Sequence, residues 1–338
     1  MSGNLADRER GGAAGAVLEV ACDESGSDGE NLTGGNTDVF AHAGVSLSVA
    51  SAAATVGEIR DRIRSPAEEY KANHLLREKH RAVLEWLLAP EGPIHGQARV
   101  HLMEKTFFVV DRAVGLLLGD PAEAITLFRA GRPAFGEDGW RAFLEAANRL
   151  LRVRHDGDPV DAFYGTVDAL RRAHPRTDAA GILARLAATR PRAVSYRDGL
   201  LSGPPLIPLL NPLLPAIVRT AALWCGNGRP LRLVHDRQNM LTPDRIAWIE
   251  GTARRAGIGL AGVRLVVARD DARVQVADFL AGIARKIASD ELNGRGDPAL
   301  TALLRPYVDP DSVWGDARSG ALLAAPGGRV RPKRSPVR

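Results

Sequence analysis

Acidic side chains at four places in the chain have a type and a setting that suit chemistry. They are Asp23, Glu69, Asp236 and Asp278. Asp23 and Asp236 each come at the end of a short apolar run that is predicted to be a strand. Asp278 lies among apolar residues of a predicted helix, where an unpaired charge costs free energy. We therefore expect either a cation or a basic partner beside Asp278, and Arg273 and Arg285 are the nearest basic partners on that helix.

Four short motifs surround these acids. They are VLEVACDESGS from residue 17, EYK from residue 69, LRLVHDR from residue 231 and VQVADFLAG from residue 274. In order and residue type they resemble the bacterial domain of unknown function numbered 3800, a family that is similar to the ribonuclease H-like superfamily. The resemblance spans residues 16–292, although the motifs cover only about thirty positions. It implies an α/β fold, with a ribonuclease H-like mixed sheet flanked by helices and a large helical insertion.

Enzymes of the ribonuclease H-like type gather carboxylates from a first strand, a helix, a later strand and a final helix. The resemblance thus implies one set of metal-binding and catalytic acids: Asp23, Glu69, Asp236 and Asp278. Lys71 joins the catalytic set, where it would neutralise a phosphate or pair with a carboxylate. Three further residues are expected to orient the metal-binding side chains from the outer coordination shell: Glu24, Ser25 and Gln275.

The implied cofactor is Mg²⁺ or Mn²⁺. Two such ions about 3.5–4 Å apart need several carboxylates to offset their charge, and hard cations prefer oxygen ligands. The expected activity is a divalent-metal-dependent nuclease or phosphodiesterase that hydrolyses phosphodiester bonds by a two-metal mechanism. Nucleic acid is the expected partner, and the sequence does not distinguish DNA from RNA.

Each acid also has an ordinary structural explanation, and these alternatives stay open at the level of sequence. Asp23 in a Ser/Gly-rich segment is typical of a turn, Glu69 is typical of a solvated surface, and Asp236 is also typical of a residue that starts a turn. His235 is predicted to be a packed or hydrogen-bonded histidine rather than a metal ligand. Only the joint occurrence of the acids, in order, favours a site.

Two other functions remain open. One is a catalytically degenerate ribonuclease H-like module that binds or regulates together with a protein partner. The other is an enzyme acting on a small phosphorylated metabolite through the same acids.

The distribution of charge weakens the case for a basic nucleic-acid binder. The chain has 45 Lys and Arg against 40 Asp and Glu, a net charge of +5. Six of the basic residues and none of the acids follow Asp316, which leaves 39 basic and 40 acidic residues over 1–316. The excess therefore belongs to the C-terminal tail, and a near-neutral body favours the binding module somewhat, since duplex binders usually carry a basic face.

The chain organisation predicted from the sequence is one body between two tails. Residues 1–15 are predicted to be a disordered lead, 16–316 a single domain with a helical insertion at about 100–226, and 317–338 a flexible basic tail. Within the body, strands near 17–22 and 40–49 form an antiparallel pair, residues 55–226 are helical, and a strand–helix–strand–helix run follows over 231–292. With no targeting or membrane segment, we expect a soluble, cytoplasmic protein.

Overall fold

A computed structural model describes residues 17–64, 70–154, 157–203, 205–226 and 229–324. The predicted lead and Glu69 lie outside these residues. The described part contains five strands and a series of α-helices in the following order: β1 (Leu18–Ser25), β2 (Val39–Val45), α1 (Val49–Ile63), α2 (Ala72–Leu75), α3 (Arg81–Leu88), β3 (Ala98–Glu104), α4 (Lys105–Leu117), α5 (Pro121–Leu151), α6 (Pro159–Ala173), α7 (Asp178–Ala187), α8 (Arg190–Ser202), α9 (Leu213–Trp224), β4 (Leu231–Asp236), α10 (Pro243–Arg255), β5 (Leu260–Val266), α11 (Ala272–Leu292), α12 (Pro298–Leu304) and α13 (Ala317–Leu323).

The five strands form one mixed sheet in the order β3-β2-β1-β4-β5. β1 pairs with β2 and β2 with β3 in antiparallel fashion, whereas β4 lies parallel to both β1 and β5. The expected α/β class, with a mixed sheet flanked by helices, is thereby confirmed, and so is the antiparallel pair at the start of the chain. Because β1 and β4 are adjacent and parallel, their carboxyl ends meet at the same edge of the sheet.

Side chains alternate between the two faces of the sheet, and each face has its own apolar core. Ala41 and Ala43 of β2 pack in a core that includes Phe279 and Leu280 of α11. On the opposite face, Phe40 packs in a core that extends through the helices from α4 to α10. We call these the α11 face and the α9 face, after the helix that approaches β2 most closely on each side.

The helical segment 105–224 packs on the α9 face and shares its core with the sheet. Its last helix, α9, passes close to β2 at Gly44, where a Cβ would lie only 3.0 Å from Trp224 Nε1 and 3.2 Å from Thr220 Cγ2. The absent side chain of Gly44 therefore lets α9 reach the sheet.

One prediction about this part of the chain is wrong. Residues 55–226 are not all helical, because Ala98–Glu104 form β3, which pairs with β2 along its whole length. Within the range predicted for the insertion, the first helix begins at Lys105.

The segment that follows α12 runs along the outer edge of β3 and occupies its free hydrogen-bonding groups. Asp309 N–H donates to the carbonyl of Val100, and Val313 N–H donates to that of Leu102. The prediction of a flexible tail from residue 317 is wrong for its first residues, since Ala317–Leu323 form α13 and Leu323 is buried. In the described part of the chain, every helix is too short or too polar to cross a membrane.

Candidate functional site

Three of the predicted acids come to the same edge of the sheet on the α11 face. Asp23 lies near the carboxyl end of β1, and Asp236 is the last residue of β4. Asp278 lies in the second turn of α11, the helix that covers this face. Asp278 and Asp236 both act electrostatically on Asp23. Three of the four predicted acids thus lie near one another, while Glu69 lies outside the described residues.

Asp23 is the most deeply placed of these acids, with 7% of its surface exposed. Burial, then the negative charges of Glu24, Asp278 and Asp236, raise the pKa of Asp23 to about 9. One oxygen, Oδ1, accepts a hydrogen bond from the backbone N–H of Glu24 at 2.8 Å. Without a cation, Asp23 therefore holds a proton at neutral pH, because its neighbours disfavour the charged form.

Backbone amides orient the carboxylate of Asp236 in the same way. Its Oδ1 accepts a hydrogen bond from the N–H of Ala268 at 2.9 Å, just beyond β5. Asp278 is half-buried, and the suggested salt bridges on its helix are not the contacts that form. Arg273 binds Asp271 and Glu19 instead, and Arg285 binds Ser25.

Glu24 points to the α9 face, opposite Asp23, as expected from strand alternation. Its Oε2 accepts a hydrogen bond from Gln238 Nε2 at 2.8 Å. His235 Nε2 lies 3.8 Å from the same oxygen, too far for a hydrogen bond. Glu24 is therefore held at the rim of the site by the loop that follows β4.

Behind Glu24 lies a fully buried pair of histidines, His42 on β2 and His235 on β4. Their Nε2 atoms are 3.2 Å apart and their rings are stacked. His42 Nδ1 is 2.8 Å from Thr220 Oγ1, and His235 Nδ1 is 2.9 Å from the carbonyl oxygen of Asp236. The expectation that His235 is packed and hydrogen-bonded is confirmed.

The partners fix the protons of the neutral pair. A carbonyl only accepts, so His235 carries its proton on Nδ1 and its Nε2 accepts. His42 then donates from Nε2, and its Nδ1 accepts from the hydroxyl of Thr220. Burial, then the neighbouring His235 and His101, lowers the pKa of His42 well below its usual value, which keeps it neutral. The hydrogen bonds therefore run in one direction, from α9 through the sheet to the backbone at Asp236.

Thr220→Val should lower the free energy of unfolding by about 1–3 kcal/mol, because it leaves the buried Nδ1 of His42 without a donor while preserving side-chain shape. Urea unfolding measures the loss, and ¹⁵N NMR of the imidazoles reports the tautomers. Thr126→Val is the matched control, since the exposed Thr126 only donates to a helical carbonyl, and it should change stability by no more than about 0.5 kcal/mol. Equal effects of the two changes would contradict the directed chain.

The remaining predicted residues have mixed positions. Ser25 Oγ accepts from Arg285 Nε at 3.0 Å, so it positions a basic side chain rather than a carboxylate. Gln275 Nε2 approaches the carbonyl of Arg269 at 3.5 Å, and no contact with the candidate acids is found among the described residues. Lys71 is exposed and precedes α2. Ala72, next to it, packs against Gly282 of α11, where a Cβ would overlap the Ala72 side chain.

The type of donor suits Mg²⁺ or Mn²⁺, since carboxylate oxygens are what these ions prefer. Burial, and then the negative charges around it, disfavour the charged form of Asp23, and a bound cation would offset both. Among the residues that the structure describes, however, no three His, Cys, Asp or Glu side chains are already arranged to hold a metal ion. The described acids are therefore of the right chemical type to bind a cation, but they are not arranged as a complete set of metal ligands.

Three residues of this site were missed from the sequence: His42, Thr220 and Gln238. For His42 a signal existed, because a histidine inside the apolar run of β2 needs a buried polar partner. The other two are a hydroxyl and an amide group without a local pattern. Comparisons of the chain with protein-family models, curated proteins and solved structures give no match, so the site rests on its own geometry.

Proposed function

We propose that this protein is a divalent-metal-dependent nuclease or phosphodiesterase with a ribonuclease H-like arrangement of its acids. The observation that carries the proposal is that β1, β4 and α11 bring Asp23, Asp236 and Asp278 to one edge of the sheet. Burial, and then the neighbouring acids, raise the pKa of Asp23 there. Clustered acids whose pKa values are strongly raised are typical of functional sites.

In this proposal the described residues have distinct roles. Asp23 and Asp236 each have one oxygen fixed by a backbone N–H, which leaves the other oxygen of each carboxylate to bind a cation. Asp278 supplies a third carboxylate from α11. Glu69, from the motif next to α2, is proposed as the fourth. Bound Mg²⁺ or Mn²⁺ would supply activation of water and stabilisation of the leaving oxygen.

A degenerate binding module is the second candidate, and one specific observation favours it. The described acids do not form a ready coordination group, as expected if the site has lost metal binding. The two candidates differ in a measurable way, because a ligand that binds the folded state raises its stability by RT ln(1 + [L]/Kd). A nuclease should gain thermal stability with Mn²⁺, and a degenerate module should not.

Asp278→Asn should abolish Mg²⁺- or Mn²⁺-dependent cleavage while leaving the fold intact, because the amide keeps the shape of the carboxylate and loses its charge. We would measure cleavage of single- and double-stranded DNA, RNA and RNA–DNA hybrid. Asp138→Asn is the matched control, since Asp138 is an exposed carboxylate on α5 with 89% of its side chain accessible. It should cleave like the unaltered protein.

The outcomes separate the candidates. Cleavage that survives in Asp278→Asn would remove this residue from the mechanism. No cleavage of any substrate by the unaltered protein, together with no stabilisation by Mn²⁺, would exclude the nuclease and leave the binding module. Cleavage of small model phosphodiesters but of no polynucleotide would point to a phosphorylated metabolite instead.

A further inference from the structure

Arg285 lies beside the candidate site and is held there by the motif that begins with Asp23. Its Nε donates to Ser25 Oγ at 3.0 Å. The next residue, Gly26, has φ +87°, and a Cβ there would meet Arg285 Cδ at 2.9 Å. Ser25 therefore fixes the guanidinium, and Gly26 makes room for its stem. This accounts for the Ser-Gly half of the Asp-Glu-Ser-Gly sequence.

The guanidinium of Arg285 is half-buried and makes no ion pair with any acid in the described ranges. The other basic residues of α11 behave differently, since Arg273 binds Asp271 and Lys286 binds Asp290. The Nη atoms of Arg285 likewise form no hydrogen bond to a described residue. The N–H groups of these two Nη atoms are thus available to a ligand.

Three acids near Arg285 are already bound to other groups. Asp28 is held by Lys105 and Thr37. Asp38 accepts from Ser289 at 2.9 Å and from Asn293 at 2.6 Å, and Asp290 is held by Lys286. They act on Arg285 only through space. The charge of Arg285 is therefore not neutralised by direct contact with these three acids.

Arg285 also faces the right way. It follows Asp278 by seven residues, which is nearly two full turns and about 10.5 Å along the helix. The two side chains share a face of α11. The contact of its Nε with Ser25, two residues after Asp23, brings this guanidinium to the end of β1.

We propose that Arg285 binds a backbone phosphate of the nucleic acid strand, next to the phosphodiester that lies at Asp23, Asp236 and Asp278. This assignment rests on the proposed nuclease function. The planar fork of arginine matches two phosphate oxygens at once. With Nε bound to Ser25, the two Nη groups remain as donors for the phosphate oxygens.

The test measures binding of a fluorescently labelled, short single strand with phosphorothioate linkages, which slow cleavage, in the presence of Mg²⁺. Arg285→Met keeps an unbranched stem against Gly26 and removes the charge. We expect its Kd to rise roughly tenfold, and the slope of log K against log salt to fall by about 0.7, the value for one single-strand phosphate contact. Arg285→Lys should restore part of the slope but less of the affinity, because lysine lacks the fork.

Lys286→Met is the matched control. It removes the same charge from the neighbouring, exposed position of α11. We expect its Kd to change by less than about twofold. Thermal stabilisation by Mn²⁺ should be the same in Arg285→Met as in the unaltered protein, which separates a phosphate contact from a structural role.

Two results would overturn the assignment of Arg285 alone. One is unchanged affinity and salt slope in Arg285→Met while the unaltered protein binds the strand. The other is loss of the Mn²⁺ stabilisation together with loss of binding. If the unaltered protein binds no strand at all, the proposed nuclease function fails and this assignment fails with it.

Discussion

Asp23→Asn should make the metal-free protein more stable at pH 8 than the unaltered protein, and should remove any stabilisation by Mn²⁺. The reason is the free energy stored in an acid whose charged form is disfavoured by burial and by three neighbouring carboxylates. Asparagine resembles the protonated acid in shape and carries no charge at any pH. We expect the gain in unfolding free energy to be at least about 1.4 kcal/mol, the equivalent of one pKa unit.

The pH dependence follows from the direction of the shift. The pKa of Asp23 is raised from 3.8 to about 9 on folding, so between these values the folded state binds the proton that the unfolded chain releases. The unfolding free energy of the metal-free protein therefore falls as pH rises through this window. Asp23→Asn should flatten that decline.

Chemical unfolding in EDTA at several pH values between 5 and 9 measures this effect. Asp138→Asn, at an exposed position, should keep the slope of the unaltered protein. In the unaltered protein, Mn²⁺ should stabilise more at pH 8 than at pH 6, because a cation must displace the proton from Asp23. Parallel pH profiles for Asp23→Asn and the unaltered protein would show that burial and like charges do not raise the pKa of Asp23.

The parts of the fold that the sequence predicted well are those with local signals. β1 and β4 are apolar runs that end in turn residues, and α11 carries a long apolar repeat. Local patterns were therefore enough to assign Asp23, Asp236 and Asp278 to these three elements.

β3 was missed because its pattern is not local. Its sequence ARVHLME mixes apolar residues with Arg99 and His101, and it lies between helical patterns. The strand forms because β2 pairs with it on one edge and the segment of Val308 and Val313 covers the other. Those partners are distant in sequence, so no window around β3 contains the reason for its conformation.

The hydrogen-bonded part of the site was missed for the same physical reason. Thr220 is 178 residues from His42, and Gln238 is 214 residues from Glu24. Opposite charge on the same helix was also a poor guide to ion pairing. Arg273 was one of two expected partners of Asp278, but it binds Asp271 and Glu19. Which acid an arginine chooses depends on the packing of the helix, and sequence spacing does not contain that information.

Arg219→Met should lower the free energy of unfolding by about 3–5 kcal/mol, the cost of leaving a buried charge without its partner. The side chain of Asp309 is fully buried and accepts two hydrogen bonds from Arg219, both at 2.7 Å. His101 Nδ1 adds a third contact at 2.9 Å. Burial favours a higher pKa, but the hydrogen bonds and charges of Arg219 and His101 outweigh it and hold the pKa of Asp309 well below its usual value.

The size of this effect comes from the position of the pair. Arg219 precedes Thr220 on α9, while Asp309 lies on the segment that covers β3. The pair therefore fastens both the helical segment and the C-terminal segment to the α9 face, behind the buried histidines. A carboxyl with a lowered pKa contributes stability that is fully present above the unfolded value near 3.8. That stability is lost progressively as pH falls from there through the lowered pKa. The cost of Arg219→Met should consequently shrink at acid pH, when Asp309 takes up a proton.

Urea unfolding at pH 7 and in acid measures both parts of this prediction. Adding Asp309→Asn to Arg219→Met should recover part of the loss, because the charge left unpaired is gone, and the double-mutant cycle gives the coupling. Arg132→Met is the control, since its ion pair with Glu137 is exposed and should be worth no more than about 1 kcal/mol. A loss below about 1 kcal/mol in Arg219→Met at pH 7 would mean that His101 alone keeps Asp309 charged, and that α9 is fastened to the sheet by its apolar contacts.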